Sequence, residues 1–326
     1  MKNRLSPGRA SLIGLTLLMA CLAICSGMFL YSGLFCLNNI LGRMGAFRIS
    51  LITPYTTLPP WLYLALEQTP PLPLAGTFQW RGIQPGFEVT EMPVIARGVE
   101  VDRLFLTRID PHLFRFEVLN DASGKSSLDS WVSSLSPTMV INASFYGHDG
   151  QPATPILSNG TLKGPRSYQG HHGAFVAGNE NATLIELQKA DWREVFKGSH
   201  NAFVSYPLLL AADGKSRIHA DKLWLANRSF IAQDSQGHIV FGTTQHAFFS
   251  LDRFATFLKQ APLQLVLALN LDGGPVACQA INSQVYRRRF CGEWEVFSFH
   301  GFRVLKKGFE TQHWPLPNVV AVFPKA

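Results

Sequence analysis

At 326 residues, 47% hydrophobic and 16% charged, the chain is too apolar to be disordered or of low complexity. Its net charge of +7 would suit a nucleic-acid partner if it were spread along the chain. It is not: residues 1–66 hold Lys2, Arg4, Arg9, Arg43 and Arg48 with no acidic residue, which leaves 24 − 22 = +2 for the rest. A basic end beside an apolar run is a membrane-topology signal, so nucleic-acid binding is set aside.

From Ala10 to Leu37 no residue is charged, and at 28 residues the run exceeds the roughly 20 that span a hydrocarbon core. The pattern predicts a transmembrane helix with a cytoplasmic N-terminus, because Lys2, Arg4, Arg9 and the terminal amine outnumber Arg43 and Arg48. The bulk of the chain then lies outside the cytoplasm. A cleaved signal, or a lipoprotein signal at Leu18-Met19-Ala20-Cys21, is the alternative; the run is longer than a cleavable apolar region and continues past Cys21. An extracytoplasmic compartment lets Cys278 and Cys291 form a disulfide, two buried free thiols being the other outcome. The chain divides into an anchor over 1–37, a connector over 38–75 and a domain over 76–326. Pro54, Pro59, Pro60, Pro70, Pro71 and Pro73 keep the connector irregular. Trp61, Leu62, Tyr63 and Leu64 make it too apolar for a free linker; it packs on the domain or rests at the membrane interface.

Beyond Gly76 strands dominate. Val101–Ile109 and Leu113–Leu119 are β-rich runs around an Asp110-Pro111 turn, and Thr138–Tyr146 is an apolar run ended by Gly147. Turn pairs at Asp149-Gly150, Asn159-Gly160, Asp213-Gly214 and Gln236-Gly237, each between short apolar segments, predict hairpins. One helix interrupts them: Ser250 is an N-cap, Leu251, Phe254 and Leu258 share a face, and Pro262 ends it. Leu263–Leu271 is then a continuous apolar strand. The fold class is α+β: strand-rich, mostly antiparallel sheets with a few helices, preceded by one transmembrane helix.

Three segments can carry chemistry. Ala268-Leu269-Asn270-Leu271-Asp272-Gly273-Gly274 delivers a carboxylate at a strand end and turns through two glycines, which let a ligand approach the backbone. An ordinary turn with a solvated Asp272 is the plainer reading. Val140-Ile141-Asn142-Ala143-Ser144-Phe145-Tyr146-Gly147 carries an amide in an apolar strand, where it either serves the structure or binds sugar hydroxyls. Leu225-Ala226-Asn227-Arg228 opens a hairpin with a guanidinium that suits a phosphate, although a surface ion pair is commoner. His171 and His172 point to opposite faces of a strand and lack ligand spacing, so no metal or other cofactor is expected; either can line a polar pocket. Arg287-Arg288-Arg289 reads as a solvated basic face, with an anionic polymer as its functional alternative. Asp149 and Asp213 read as turn residues, and no nucleophile elbow supports a Ser–His–Asp triad.

Taken together, these segments resemble the phosphodiester glycosidase family. The resemblance runs from about Val99 to Val296. It comprises Ile109-Asp110-Pro111, then Ile141-Asn142-Ala143-Ser144-Phe145-Tyr146 where the family has Asn-Gly-Gly-Phe-Phe, and Pro207-Leu208-Leu209 before Asp213-Gly214. Arg228 ahead of a Gly-containing hairpin follows, and then Asn270-Leu271-Asp272-Gly273-Gly274. Ala143 and Ser144 replace two glycines, Pro275-Val276-Ala277 replaces the small residues that often follow the turn, and Tyr206 stands where a small residue is usual. The resemblance implies a hydrolase of a glycosyl phosphodiester or related envelope or exopolysaccharide glycan; together with the apolar run and its basic flank, the expectation is a protein anchored in a bacterial inner membrane with its domain in the periplasm. Asp272, Arg228 and Asn142 would be catalytic, while Asn270, Gly273, Gly274, Ser144 and His171 would bind substrate. A glycan-binding or envelope-assembly protein on the same scaffold is the non-catalytic alternative.

Overall fold

A computed structural model describes residues 7–31, 39–41, 50–51, 59–65, 67, 69–147, 149–170, 172–218, 224–292, 294–299, 302–307 and 315–325. The expected N-terminal helix runs over Pro7–Tyr31. Its described side chains, residues 14–26, are exposed. Among the described residues no helix is long and apolar enough to cross a membrane. The transmembrane helix read from the sequence is therefore not established by the structure.

The centre of the fold is an eight-stranded sheet. Its path runs Leu208–Leu210, Leu265–Asn270, Ser229–Asp234, Ile239–Thr244, Val99–Ile109, Phe87–Ala96 and Leu74–Ala75, with Arg81–Gln84 also paired to Phe87–Ala96. Every pairing in it is antiparallel. Its central strands are apolar at consecutive positions because both faces are covered. Phe230, Val240 and Ala268 enter one core with Leu104, whereas Ile231, Phe241 and Leu269 enter another with Phe105. The first core is closed by the helix Leu251–Gln260, capped by Ser250 as expected, which buries Phe254, Ala255, Phe257 and Leu258. A short helix, Pro60–Ala65, joins it through Trp61, Leu62, Leu64 and Ala65. This part of the connector thus packs on the domain.

The second core lies between this sheet and two five-stranded antiparallel sheets. One has the order Arg287–Cys291, Cys278–Asn282, Met139–Asn142, Asn318–Pro324 and Phe114–Asn120; the other has Thr161–Lys163, Ile156–Ser158, Asn201–Ser205, Gly173–Ala177 and Ala182–Glu186. The Asp110-Pro111 turn therefore connects two different sheets: the strand before it pairs in the eight-stranded sheet, the strand after it with Asn318–Pro324. The Asn159-Gly160 and Gln236-Gly237 turns do close hairpins, joining Ile156–Ser158 to Thr161–Lys163 and Ser229–Asp234 to Ile239–Thr244. A fourth sheet orders Leu225–Ala226, Trp294–Phe299, Phe302–Lys307, Asn39–Leu41 and Ser50–Leu51, with one parallel pairing, between Asn39–Leu41 and Phe302–Lys307. The molecule is α+β, strand-rich and mostly antiparallel.

Candidate active site

Two strand ends from different sheets are tied together at the site. Met139–Asn142 ends on Asn142, and Leu265–Asn270 leads within two residues to Asp272. The Asp272 N–H donates to the Ala143 carbonyl at 3.1 Å, and Asn142 Nδ2 donates to the Asp272 carbonyl at 2.7 Å. Asn142 Oδ1 accepts from Ser229 Oγ at 2.9 Å and from the Cys278 N–H at 3.1 Å. Both ends of this amide, only 2% exposed, are thus spent on the protein. A buried amide must be satisfied, and here its partners are three distant segments that meet behind Asp272.

The Asp272-Gly273-Gly274 turn then runs along the start of the Ser229–Asp234 strand. Asp272 Oδ1 accepts from the Gly273 N–H at 2.9 Å, and the Gly274 N–H donates to Asn227 O at 2.8 Å. A Cβ on Gly273 would stand 2.8 Å from Asn227 O and 3.8 Å from Arg228 Nη1. Glycine is required here by that close approach, and the same approach brings the guanidinium beside the turn. Arg228 is not the surface ion pair of the plainer reading: it is 6% exposed. Its Nη2 donates to Trp224 O at 2.6 Å, and Nε and Nη2 each reach Phe249 O at 3.3 Å.

Two phenols feel the Asp272 charge. Burial raises the pKa of Tyr146, and the Asp272 charge adds to it; the same two causes raise that of Tyr206. Tyr146 Oη donates to Pro315 O at 3.2 Å. Tyr206 precedes a cis Pro207 and is held by Asn270, whose Nδ2 donates to Tyr206 O at 3.1 Å and whose N–H donates to Pro207 O at 3.0 Å. Asn270 Oδ1 and Ser144 Oγ, both buried, have no partner among the described residues. His171 lies outside the described residues. His172 packs against Tyr206, its ring centroid 4.9 Å away. The sequence reading had not assigned roles to Tyr146 or Tyr206; the signal was the aromatic pair Phe145-Tyr146 directly after the Asn142 strand.

The remaining candidates sort as follows. Asp149 and Asp213 accept from Gln151 and Lys215 N–H groups, as turn residues do. Arg288 and Arg289 pair with Glu91 and Asp129. Cys278 and Cys291 are disulfide-bonded, directly opposite on neighbouring strands with Cα atoms 4.1 Å apart. Among the described residues no three His, Cys, Asp or Glu side chains gather as a metal-ligand set. A cleft of about 450 Å³ opens elsewhere, lined among others by Arg115, Glu117, Asn159, Asn201 and Lys325.

The family model for phosphodiester glycosidases matches residues 136–323, more than half of the chain and the whole stretch from Asn142 to Asp272. The chain belongs to this family. Two solved structures share its fold. One is the catalytic domain of zebrafish N-acetylglucosamine-1-phosphodiester alpha-N-acetylglucosaminidase, auto-inhibited by its pro-peptide: 13% identical, covering 76% of this chain and 88% of that one, with a TM-score of 0.53. The other is a hypothetical protein from Synechocystis, 16% identical, covering 88% of this chain and 68% of that one, with a TM-score of 0.52. No curated protein matches the chain. Membership supports a hydrolase of the glycosidase type acting on a carbohydrate-type substrate.

Proposed function

We propose that the protein is a membrane-anchored, outward-facing hydrolase of a glycosyl phosphodiester or a related envelope glycan. The observation that carries this reading is that the half-buried Asp272 carboxylate and Arg228 Nη1 both lie close to Gly273. In a sugar-1-phosphodiester the leaving group is already a stable anion, so a strong general acid is less necessary than for an ordinary glycoside. What remains is to stabilise an oxocarbenium-like transition state and the departing phosphate charge. In this reading Asp272 stands at the anomeric carbon and Arg228 offers its positive charge to the phosphate past Gly273, where no Cβ intervenes. Asn142 acts through Asp272, as a positioning residue that fixes its backbone, rather than on substrate. Asn270 Oδ1, at 3% exposure, is an acceptor in reserve for an ordered water or a sugar hydroxyl.

The anchor is part of the same proposal. Leu15, Leu17, Leu18, Met19, Leu22 and Ile24 are exposed along the Pro7–Tyr31 helix. Such an apolar surface calls for cover, and a bilayer fits the uncharged run and its basic flank. An extracytoplasmic location suits the disulfide.

One observation favours the non-catalytic alternative. Arg228 Nε and Nη2 are already bonded to carbonyls, which suits a site that holds an anion. Hydrolysis of a panel of sugar-1-phosphodiesters, with Asp272→Ala as control, separates the two readings. Turnover abolished by the substitution supports the enzyme; binding without turnover supports the glycan-binding protein.

A further inference from the structure

Four rings form a column beside Asp272. Phe145 to Tyr206, Tyr206 to His172 and His172 to Tyr168 are separated by 4.5, 4.9 and 6.1 Å between centroids. Phe145 and His172 lie at 30° and 31° to the Tyr206 plane. Two rings that close cannot share one face, so they cover opposite faces of Tyr206. A sugar stacks on an open aromatic face, and Tyr206 has none to give. What it presents, at 36% exposure, is its edge and its hydroxyl.

That hydroxyl makes no hydrogen bond among the described residues, whereas the other phenol near Asp272 is committed to Pro315. Asn270, two residues before Asp272, holds the Tyr206 carbonyl through its Nδ2 and the following Pro207 carbonyl through its N–H. Ring and backbone are therefore held before any ligand arrives, which is the preorganisation a recognition group needs. Burial and the Asp272 charge keep the proton on the oxygen, so it is a donor beside a carboxylate.

We propose that the Tyr206 hydroxyl is a fixed hydrogen-bond donor to the anionic group of the substrate beside Asp272. It complements Arg228, so that a phosphodiester is accepted where Asp272 alone would repel it. This assignment rests on the function proposed above.

The test uses the full chain in detergent, as wild type and as Tyr206→Phe, with near-ultraviolet circular dichroism to confirm that the ring column is kept. Calorimetry measures binding of a sugar 1-phosphate and of the same free sugar; kinetics measure kcat and KM on the phosphodiester. Loss of a hydrogen bond to a charged group predicts roughly 10- to 100-fold weaker sugar 1-phosphate binding, with free-sugar affinity unchanged. Unchanged sugar 1-phosphate affinity, or an equal loss for the neutral sugar, overturns the assignment. If wild type binds the sugar 1-phosphate without turnover and Tyr206→Phe weakens it, the assignment stands and only the hydrolase reading falls. Absence of both binding and turnover in the wild type overturns both.

Discussion

The Asp272 site and the cleft at Asn201 show two ways in which polar residues gather at a protein surface. The cleft is roomy, about 450 Å³, yet several of its polar side chains are bonded to neighbouring protein groups. Arg115 pairs with Glu117, Asn201 is bonded to Val118 and Asn159, and Lys325 Nζ is bonded to the Pro111 and Glu180 carbonyls. At Asp272 the spending is done behind the site. Asn142 takes up the backbone of the turn, Asn270 takes up that of Tyr206, and the groups in front are a carboxylate, one side of a guanidinium and a phenol. Chemistry follows convergent groups held by others, not volume.

The largest expected effect breaks that contrast at its centre. Asp272→Asn keeps the size of the side chain and its bond from the Gly273 N–H, and it should lower kcat on a sugar-1-phosphodiester by about 10³-fold or more. Asn179→Ala, in the cleft wall, should leave kcat and KM within about twofold, as exposed substitutions do.

Next comes the support behind the site. Asn142→Ala removes three hydrogen bonds, two of them fully buried, including the one that satisfies the Cys278 N–H, which should cost about 3–4 kcal/mol in chemical denaturation. Activity should fall with it, because the carboxylate loses its anchor. A variant as stable as wild type would show that the clamp is dispensable.

How much of this was legible differs from residue to residue. The Gln236-Gly237 and Asn159-Gly160 hairpins and the Ser250-capped helix were readable because turn and cap chemistry is local. The Leu128–Leu135 helix was not foreseen: its capping box uses Ser127 with Ser130, in place of the acidic or amide partner usually sought. Asn142 was recognisable as an amide needing partners, but Ser229, Asp272 and Cys278 lie 87, 130 and 136 residues away, and no periodicity encodes such contacts. Arg228 looked like a surface cation because the Phe249 carbonyl that its Nε and Nη2 reach lies 21 residues away, where only the tertiary fold brings it in.

The disulfide sharpens the comparison further. Cys278 shares its N–H with Asn142, so the Cys278–Cys291 link, closing a sequence separation of 13, braces the clamp and not the cleft. Cys278→Ser with Cys291→Ser should destabilise the fold by about 3 kcal/mol, and peptide mass mapping of the non-reduced wild type should recover the linked pair.

A further effect is a pH dependence at Asp102, whose backbone partners His246 and Phe248 adjoin the Phe249 carbonyl that Arg228 holds. Burial raises the Asp102 pKa from 3.8 to about 8, against N–H groups of His246, Arg103, Gln245 and Phe248 that favour the carboxylate. The folded state therefore holds this proton at pH values where the unfolded chain has released it. Its contribution to stability is complete below about pH 4 and is lost as pH rises through 8. Asp102→Asn should flatten the decline in denaturation midpoint across that window; an unchanged slope would mean that Asp102 is ionised throughout.

The central claim, that the Asp272 turn and not the cleft at Asn201 receives substrate, is tested most directly by a crystal structure of Asp272→Asn soaked with a sugar-1-phosphodiester. The account predicts the phosphate against Gly273, within reach of Arg228 Nη1 and the Tyr206 hydroxyl, with the anomeric carbon at residue 272. A ligand seated among Arg115, Asn159 and Asn201, with the Asp272 turn empty, would contradict it.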